Sequence, residues 1–249
     1  MKETLLVVLF LSLSICCTQK NVKSKNESKL KLISEIKLQI PEPSGLAISD
    51  DGKFLWTVSD ENNTIYAFSF EGKILRSIKL RGKNLDLEGI TVVDDTTIAV
   101  IYERLRTVVL INHEGKVLKS KKLDLHGEEN SGIEGITYDR ESRKFYLVNE
   151  KQPQLLIELD NDLNIIKKTT LNFAADYSAI EYDDSLAVLW MLSDEDQTLF
   201  ECNTEGKVIN SYKLNIEQPE GVAVDNKNQK IFIVSDPTSK FYIYSKKNQ

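Results

Sequence analysis

Five pairs of side chains in this sequence are placed to gather negative charge at one point. Each pair has a Ser or Glu at the head of an aliphatic run and an Asp or Glu 15 or 16 residues later: Ser44 with Asp60, Glu88 with Glu103, Glu134 with Glu150, Ser178 with Asp194, and Glu220 with Asp236. If the chain folds so that these positions share a face, eight carboxylates and two hydroxyls surround one opening. Two like charges ~5 Å apart repel by about 3 kcal/mol at an effective dielectric near 20, and several such pairs accumulate. Either some carboxyls then keep their protons, or a cation sits among them. Oxygen ligands without His or Cys nearby suit Ca²⁺ better than zinc. The expected metal ligands are Glu88, Glu134 and Glu220, helped by water and backbone carbonyls, and the expected ligand-binding positions around them are Ser44, Asp60, Glu103, Glu150, Ser178, Asp194 and Asp236. Taken singly, an acidic loop residue is as readily a turn former or a solvated cap. Recurrence in register raises the group above its members.

Other chemistry is thinly represented. His113 and His126 read as exposed loop histidines, and Trp56 and Trp190 as packing residues in equivalent strands. Tyr102 and Tyr177 stand beside ring positions and are candidates to touch a ligand. Ser59, Ser193 and Ser235 precede three of the acids and are candidates to fix those turns. No Ser-His-Asp order, nucleophile elbow, zinc signature or phosphate-binding glycine loop is present in the sequence.

The elements that must position the pairs come from an internal repeat. Similar segments start at Ser44, Glu88, Glu134, Ser178 and Glu220, spaced by 44, 46, 44 and 42 residues. Each repeat is rich in Val, Ile, Tyr, Phe and Leu with alternating apolar positions, the pattern of strands rather than helices. In the first repeat the strands are expected at 45–49, 54–59, 64–70 and 74–80, joined by Asp51-Gly52 and Glu71-Gly72 turns, where glycine takes the positive φ of a tight hairpin. Four strands per repeat form the blade of a propeller.

The fifth repeat ends one strand short. The segment Leu32-Ile33-Ser34-Glu35-Ile36-Lys37-Leu38 matches Ile74–Leu80 and Val208–Leu214, so it is expected to supply the missing strand and close the ring. The fold class is therefore an all-β, five-bladed β-propeller with the N-terminal strand completing the last blade. An open solenoid and a six-bladed ring with one degenerate blade are the alternatives.

The 249 residues suit one domain, placed at 30–249. Residues 1–17 read as a lipoprotein-type signal peptide: Lys2, an apolar run from Leu5 to Ile15, then Cys16-Cys17. Leu13 three residues before Cys16 resembles a lipobox, whereas Cys17 has the smaller residue before it. Cys17 is the favoured lipid-attachment site and Cys16 the alternative. Residues 18–29 read as a polar tether. Cys202 is then the only thiol of the mature domain, which excludes an intramolecular disulfide. A net charge of −6 and a pI near 5.2 argue against a nucleic-acid partner and for a cationic one.

The strand starts PSGLAIS, DLEGIT, GIEGITYD and QPEGVAVD, with the VSD strand ends, resemble the SdiA-regulated (YjiK-like) family of bacterial envelope β-propellers. Looser likeness extends to phytase-like, gluconolactonase-like and NHL-type propellers. The resemblance implies an exported or membrane-associated propeller with calcium in the channel and no established reaction. Its Glu-Gly pattern falls on Glu88, Glu134 and Glu220; Ser44 and Ser178 depart from it, and Ala179 replaces the glycine. Taken together, the expected function is an envelope-anchored propeller, held to the membrane by a lipid, that binds a divalent cation and presents its acidic face to a small molecule or protein. The alternative is a metal-dependent hydrolase acting on phosphate esters, other esters or lactones, with Glu134 or Glu150 as general base. A third reading is an interaction module whose acidic face is only solvated.

Overall fold

The computed structural model describes residues 30–83, 85–127 and 131–246. The expected signal peptide, Cys16, Cys17 and the tether lie outside the described residues. The alternating aliphatic runs form twenty strands and, among the described residues, no helix. After β1 (Lys31–Lys37), blade I comprises β2 (Pro43–Ile48), β3 (Leu55–Ser59), β4 (Thr64–Phe68) and β5 (Ile74–Lys79). Blade II is β6 (Leu87–Val92), β7 (Thr97–Tyr102), β8 (Thr107–Asn112) and β9 (Val117–Lys122). Blade III is β10 (Ile133–Asp139), β11 (Lys144–Asn149), β12 (Leu155–Leu159) and β13 (Ile165–Thr170). Blade IV is β14 (Ala179–Asp183), β15 (Val188–Ser193), β16 (Thr198–Cys202) and β17 (Val208–Lys213). Blade V takes β18 (Pro219–Asp225), β19 (Lys230–Ser235) and β20 (Lys240–Ser245), with β1 (Lys31–Lys37) as its outermost strand.

The expected five-bladed ring and its closure by the N-terminal strand are both present. In β1, Ile36 stands opposite Phe241 and Lys37 opposite Lys240. The ladder continues through Leu38 N–H to the Ser239 carbonyl at 2.8 Å, and Lys240 Nζ meets Glu35 Oε1 at 2.5 Å.

Burial follows position in the blade. The second strands, such as β3 and β15, are buried along their whole length because blades cover both their faces. The outer strands β5, β9 and β13 are mostly exposed. The apolar core is divided into five wedges, one between each pair of adjacent blades. Trp56, Val58 and Ile65 of blade I meet Leu87, Ile90 and Val100 of blade II, and Trp190 and Leu192 of blade IV meet Ile231 and Tyr242 of blade V. Blade V also holds blade IV by charge. Lys246 Nζ lies 2.9 Å from the fully buried Asp183 Oδ2 and 5.1 Å from the centre of the Trp190 ring, whose Nε1 donates to the same carboxylate.

Around the axis the inner strands pack backbone to backbone. A Cβ on Gly45, where φ is +59°, would lie 2.4 Å from the Glu88 carbonyl oxygen, and one on Gly221 would lie 2.7 Å from the Gly45 carbonyl carbon. Only glycine permits this approach. The strands that carry it shift register at their start, between Ser44 and Ala47, Leu87 and Ile90, Ile133 and Gly135, and Pro219 and Gly221. Blade IV, with Ala179 in the glycine position, pairs without such a shift. A bulge of this kind re-aims the side chain beside it, here the Ser or Glu that starts each repeat.

Removing β1 would expose the outer edge of β20, an unpaired template for association. A chain beginning at Pro41 is expected to melt at least ten degrees lower, the effect of losing about 3 kcal/mol or more in a domain of this size, and to self-associate in sedimentation. An unchanged melting temperature with a monomeric profile would contradict this role for β1.

Candidate functional site

All ten residues of the recurring pairs line one cavity of about 410 Å³ at the mouth where the inner strands begin. It is walled by eleven acids, Asp60, Asp86, Glu88, Glu103, Glu134, Glu150, Asp176, Asp194, Glu195, Glu220 and Asp236, with Arg104 and Lys151 as its cations. The geometry follows from the blade. The first strand starts at this face, and the second returns to it antiparallel, so positions 15 or 16 residues apart arrive side by side.

The tightest groupings differ from the expected triad. Carboxylate oxygens of Asp60, Asp86 and Glu88 lie within 4.8 Å of one another, as do those of Glu42, Asp60 and Asp236. Glu88 is thus in one group, and Glu134 and Glu220 are in neither. Asp60 belongs to both, which moves the concentration of charge off the axis toward blades V, I and II.

Four acids of the site escaped the sequence reading: Glu195, directly after Asp194, and three that share an offset. Glu42, Asp86 and Asp176 all stand two residues before a repeat start, in the segments Glu42-Pro43-Ser44, Asp86-Leu87-Glu88 and Asp176-Tyr177-Ser178. Blades III and V put Gly132 and Gln218 at that offset. Glu42, Asp86 and Gln218 share a positive φ of 41°, 55° and 38°, a common backbone kink that turns the chain into the inner strand. The shared offset was the available signal. Arg104 and Lys151 were missed as well, each directly after a second-strand acid.

Hydrogen bonding separates groups held by the fold from groups facing the cavity. The Ser44 hydroxyl donates to the Glu88 carbonyl at 3.1 Å and the Ser178 hydroxyl to the Pro219 carbonyl at 2.8 Å, so each ring serine joins its blade to the next. Glu103 Oε1 accepts from Gly132 N–H at 2.9 Å. Lys151 Nζ sits between Glu150 at 2.7 Å and Glu195 at 2.6 Å, and Arg104 pairs with Asp86. Asp176 is fully buried; its Oδ1 accepts from the Ser193 hydroxyl and Glu195 N–H, and its Oδ2 has no partner. Asp236 Oδ1 is likewise without one.

Among the turn serines, Ser193 holds Asp176 and the Asp196 N–H, and Ser235 donates to the Glu217 carbonyl at 2.5 Å. Ser59 Oγ finds no partner, contrary to expectation. Tyr177 does not reach the cavity: it is fully buried, and its hydroxyl accepts from Phe173 N–H at 3.2 Å. Tyr102 packs against the wedge between blades I and II. His126 is exposed as expected, whereas His113 is half-buried with its ring centroid 5.4 Å from that of Trp56.

Electrostatics follow from this crowding. Burial pushes Glu88, Glu134 and Glu220 well above the ordinary carboxylate range, and repulsion from neighbouring carboxylates adds to it, for Glu88 from Asp60, Glu103 and Asp86 and for Glu134 and Glu220 from Glu88 among others. Asp60 is raised to about 7 by burial and by Asp236 and Glu42, and Glu103 to about 7 chiefly by burial. Asp236 reaches about 6 by burial and Glu42. The cavity can therefore hold a cation in exchange for protons, and Asp60 and Glu103 can transfer protons near neutral pH.

The sign of the pH dependence is fixed by the direction of these shifts. Unfolded carboxyls lose their protons near pH 4, whereas the folded cavity keeps several of them to about pH 7. Over that interval the unfolded state binds fewer protons, so stability falls as pH rises. Without divalent cations, the melting temperature is expected to be higher at pH 5 than at pH 7.5. An equal or higher value at pH 7.5 would show that the cavity carries no such burden.

Comparison with known proteins places this geometry. The fold matches the glutaminyl cyclase of Myxococcus xanthus with a TM-score of 0.69 at 11% identity, over 88% of this chain and 97% of that one. It also matches virginiamycin B lyase from Staphylococcus aureus with a TM-score of 0.53 at 19% identity, over 86% and 74%. A streptogramin B lyase matches with a TM-score of 0.53 at 18% identity, over 89% and 75%. At these identities the likeness is one of fold. The sequence pattern of the SdiA-regulated family matches residues 21–245, nearly the whole propeller and every repeat start, and the chain belongs to that family.

Proposed function

We propose that this SdiA-regulated propeller is an envelope-anchored scaffold that binds a divalent cation in its acidic cavity and presents the surrounding face to a small molecule or protein. The observation that carries the reading is the shared position of Asp60 in two groups of carboxylates, each within 4.8 Å. The partnerless oxygens of Asp176 and Asp236 on the same cavity add to it, because a buried acceptor without a donor is costly unless something occupies it. Carboxylates without His or Cys favour a hard ion, and the loose arrangement favours calcium, which accepts varied oxygen geometry, over magnesium. Asp60, Asp86 and Glu88 would hold the ion, with Glu134 and Glu220 adding negative potential from across the channel. The anchor rests on Cys17, or Cys16, behind the apolar run, and on the polar segment that follows.

A metal-dependent hydrolase is the second reading, favoured by Glu103, a cavity carboxyl outside the candidate ligand group that burial raises to about 7 in the metal-free protein. Turnover of a phosphate ester or lactone by the calcium-loaded protein, lost in Glu103→Gln, would move the assignment from scaffold to enzyme.

Calcium titration of chelator-treated protein is expected to give one equivalent bound and a rise in melting temperature that chelator reverses. Asp60→Asn should weaken binding at least tenfold, about 1.4 kcal/mol. No bound metal and no thermal shift with calcium, magnesium or manganese would remove the cation site and leave a solvated acidic face.

A further inference from the structure

Trp56 and Trp190 stand twelve residues after Ser44 and Ser178, the two serines that start repeats, so blades I and IV carry an indole at the same place. Each packs in the wedge shared with the following blade. The wedges differ in what covers the ring. Directly after its third strand, β20, blade V supplies Lys246. Its Nζ lies 5.1 Å from the centre of the Trp190 ring, 2.9 Å from Asp183 Oδ2 and 2.7 Å from Asn226 Oδ1. A lysine ammonium is thus held between an aromatic face and oxygen acceptors away from water, where a cation–π contact is strongest. Directly after β8, the third strand of blade II, the same place is taken by His113. Its ring centroid lies 5.4 Å from that of Trp56, and its Nε2 is buried without a hydrogen-bond partner.

Beside this histidine a cavity of about 310 Å³ opens between blades I and II, with no lining residue in common with the acidic cavity. Phe54, Trp56 and Val92 give it apolar walls, and Asp50, Asp51 and Asp95 stand around them. Asp50 pairs with Arg140 and Asp51 with Lys53. Asp95 is exposed and forms no ion pair among the described residues. It follows Asp94, which stands six residues after Glu88 as Asn226 stands six after Glu220. The cleft therefore repeats the aromatic and acidic parts of the lysine site between blades IV and V but has a histidine where that site has its lysine. Apolar walls suit an alkyl stem, and the acids suit its ammonium.

We propose that the cleft between blades I and II binds a lysine side chain of a partner protein, its stem along Phe54 and Trp56 and its ammonium at Asp95. Lys246 in the equivalent cleft is the template for the occupant, and a net charge of −6 favours a partner that brings positive charge. The proposal does not depend on what fills the acidic cavity.

Trp56 and Trp190 are the two tryptophans of the chain, so their indole N–H resonances in heteronuclear NMR read the cleft against its counterpart. Titration with Nα-acetyl-lysine N-methylamide is expected to shift the Trp56 signal saturably and to leave the Trp190 signal in place. Nα-acetyl-norleucine N-methylamide, which keeps the stem and lacks the ammonium, should bind roughly tenfold more weakly. Asp95→Asn should weaken binding of the lysine probe severalfold. His113→Lys, which gives blade II the residue of blade V, should keep the fold by melting and abolish the Trp56 shift, because the cleft then holds an ammonium of its own. A Trp56 signal unmoved by the lysine probe at millimolar concentration would overturn the proposal. So would equal binding of the norleucine probe, or a lysine-induced shift that survives His113→Lys.

Discussion

The close approach of the inner strands at glycine is the constraint from which the site follows. Gly45 and Gly221 let one backbone rest on the next with no room for a Cβ, so the residues beside them are drawn toward a narrow axis. Those residues are Glu88, Glu134 and Glu220 in three blades and serines in the other two. A glutamate at this position cannot retreat into solvent without breaking the packing that holds the ring. Its charge must instead be suppressed by a proton or matched by a cation. The serines relieve part of the crowding: Ser44 and Ser178 bring no charge, and each hydroxyl ties its blade to the following one.

The rest of the molecule keeps that arrangement from relaxing. Five apolar wedges, rather than one central core, set the angle between neighbouring blades and leave the axis to polar groups. Closure by β1 leaves blade V with the same four strands as its neighbours. The buried Lys246 and Asp183 pair then fastens blade V to blade IV from the C-terminal side. A ring fastened in this way presents its carboxylates in fixed positions, and such preorganisation favours ion binding, because no ordering entropy remains to be lost on association.

Much of this was legible in the sequence. The repeat of 42 to 46 residues, the hairpin turns at Gly52 and Gly72, and the likeness of Leu32–Leu38 to the fourth strands determined both the blade count and the closure. The cavity was legible because its members recur at equal offsets, a property of topology that no single residue reveals. Glu42, Asp86 and Asp176 were not, because the position before each inner strand varies in residue type and precedes the strand pattern that guided the alignment. Nor could spacing show that Asp60 lies within 4.8 Å of Asp86 and Glu88 on one side and of Glu42 and Asp236 on the other. That depends on side-chain direction in the loops, where the kinked backbone at Glu42 and Asp86 brings two more carboxylates against it.

The account stands on carboxyls at the axis that hold protons well above the ordinary range until a cation replaces them. Carboxyl carbon NMR of the selectively labelled protein, titrated with and without calcium, measures this residue by residue. The prediction is that Glu88, Glu134 and Glu220 titrate well above the ordinary carboxylate range in the metal-free protein and that Glu88 ionises at lower pH once calcium is added. Titration of all three near pH 4.5, unmoved by the ion, would contradict it.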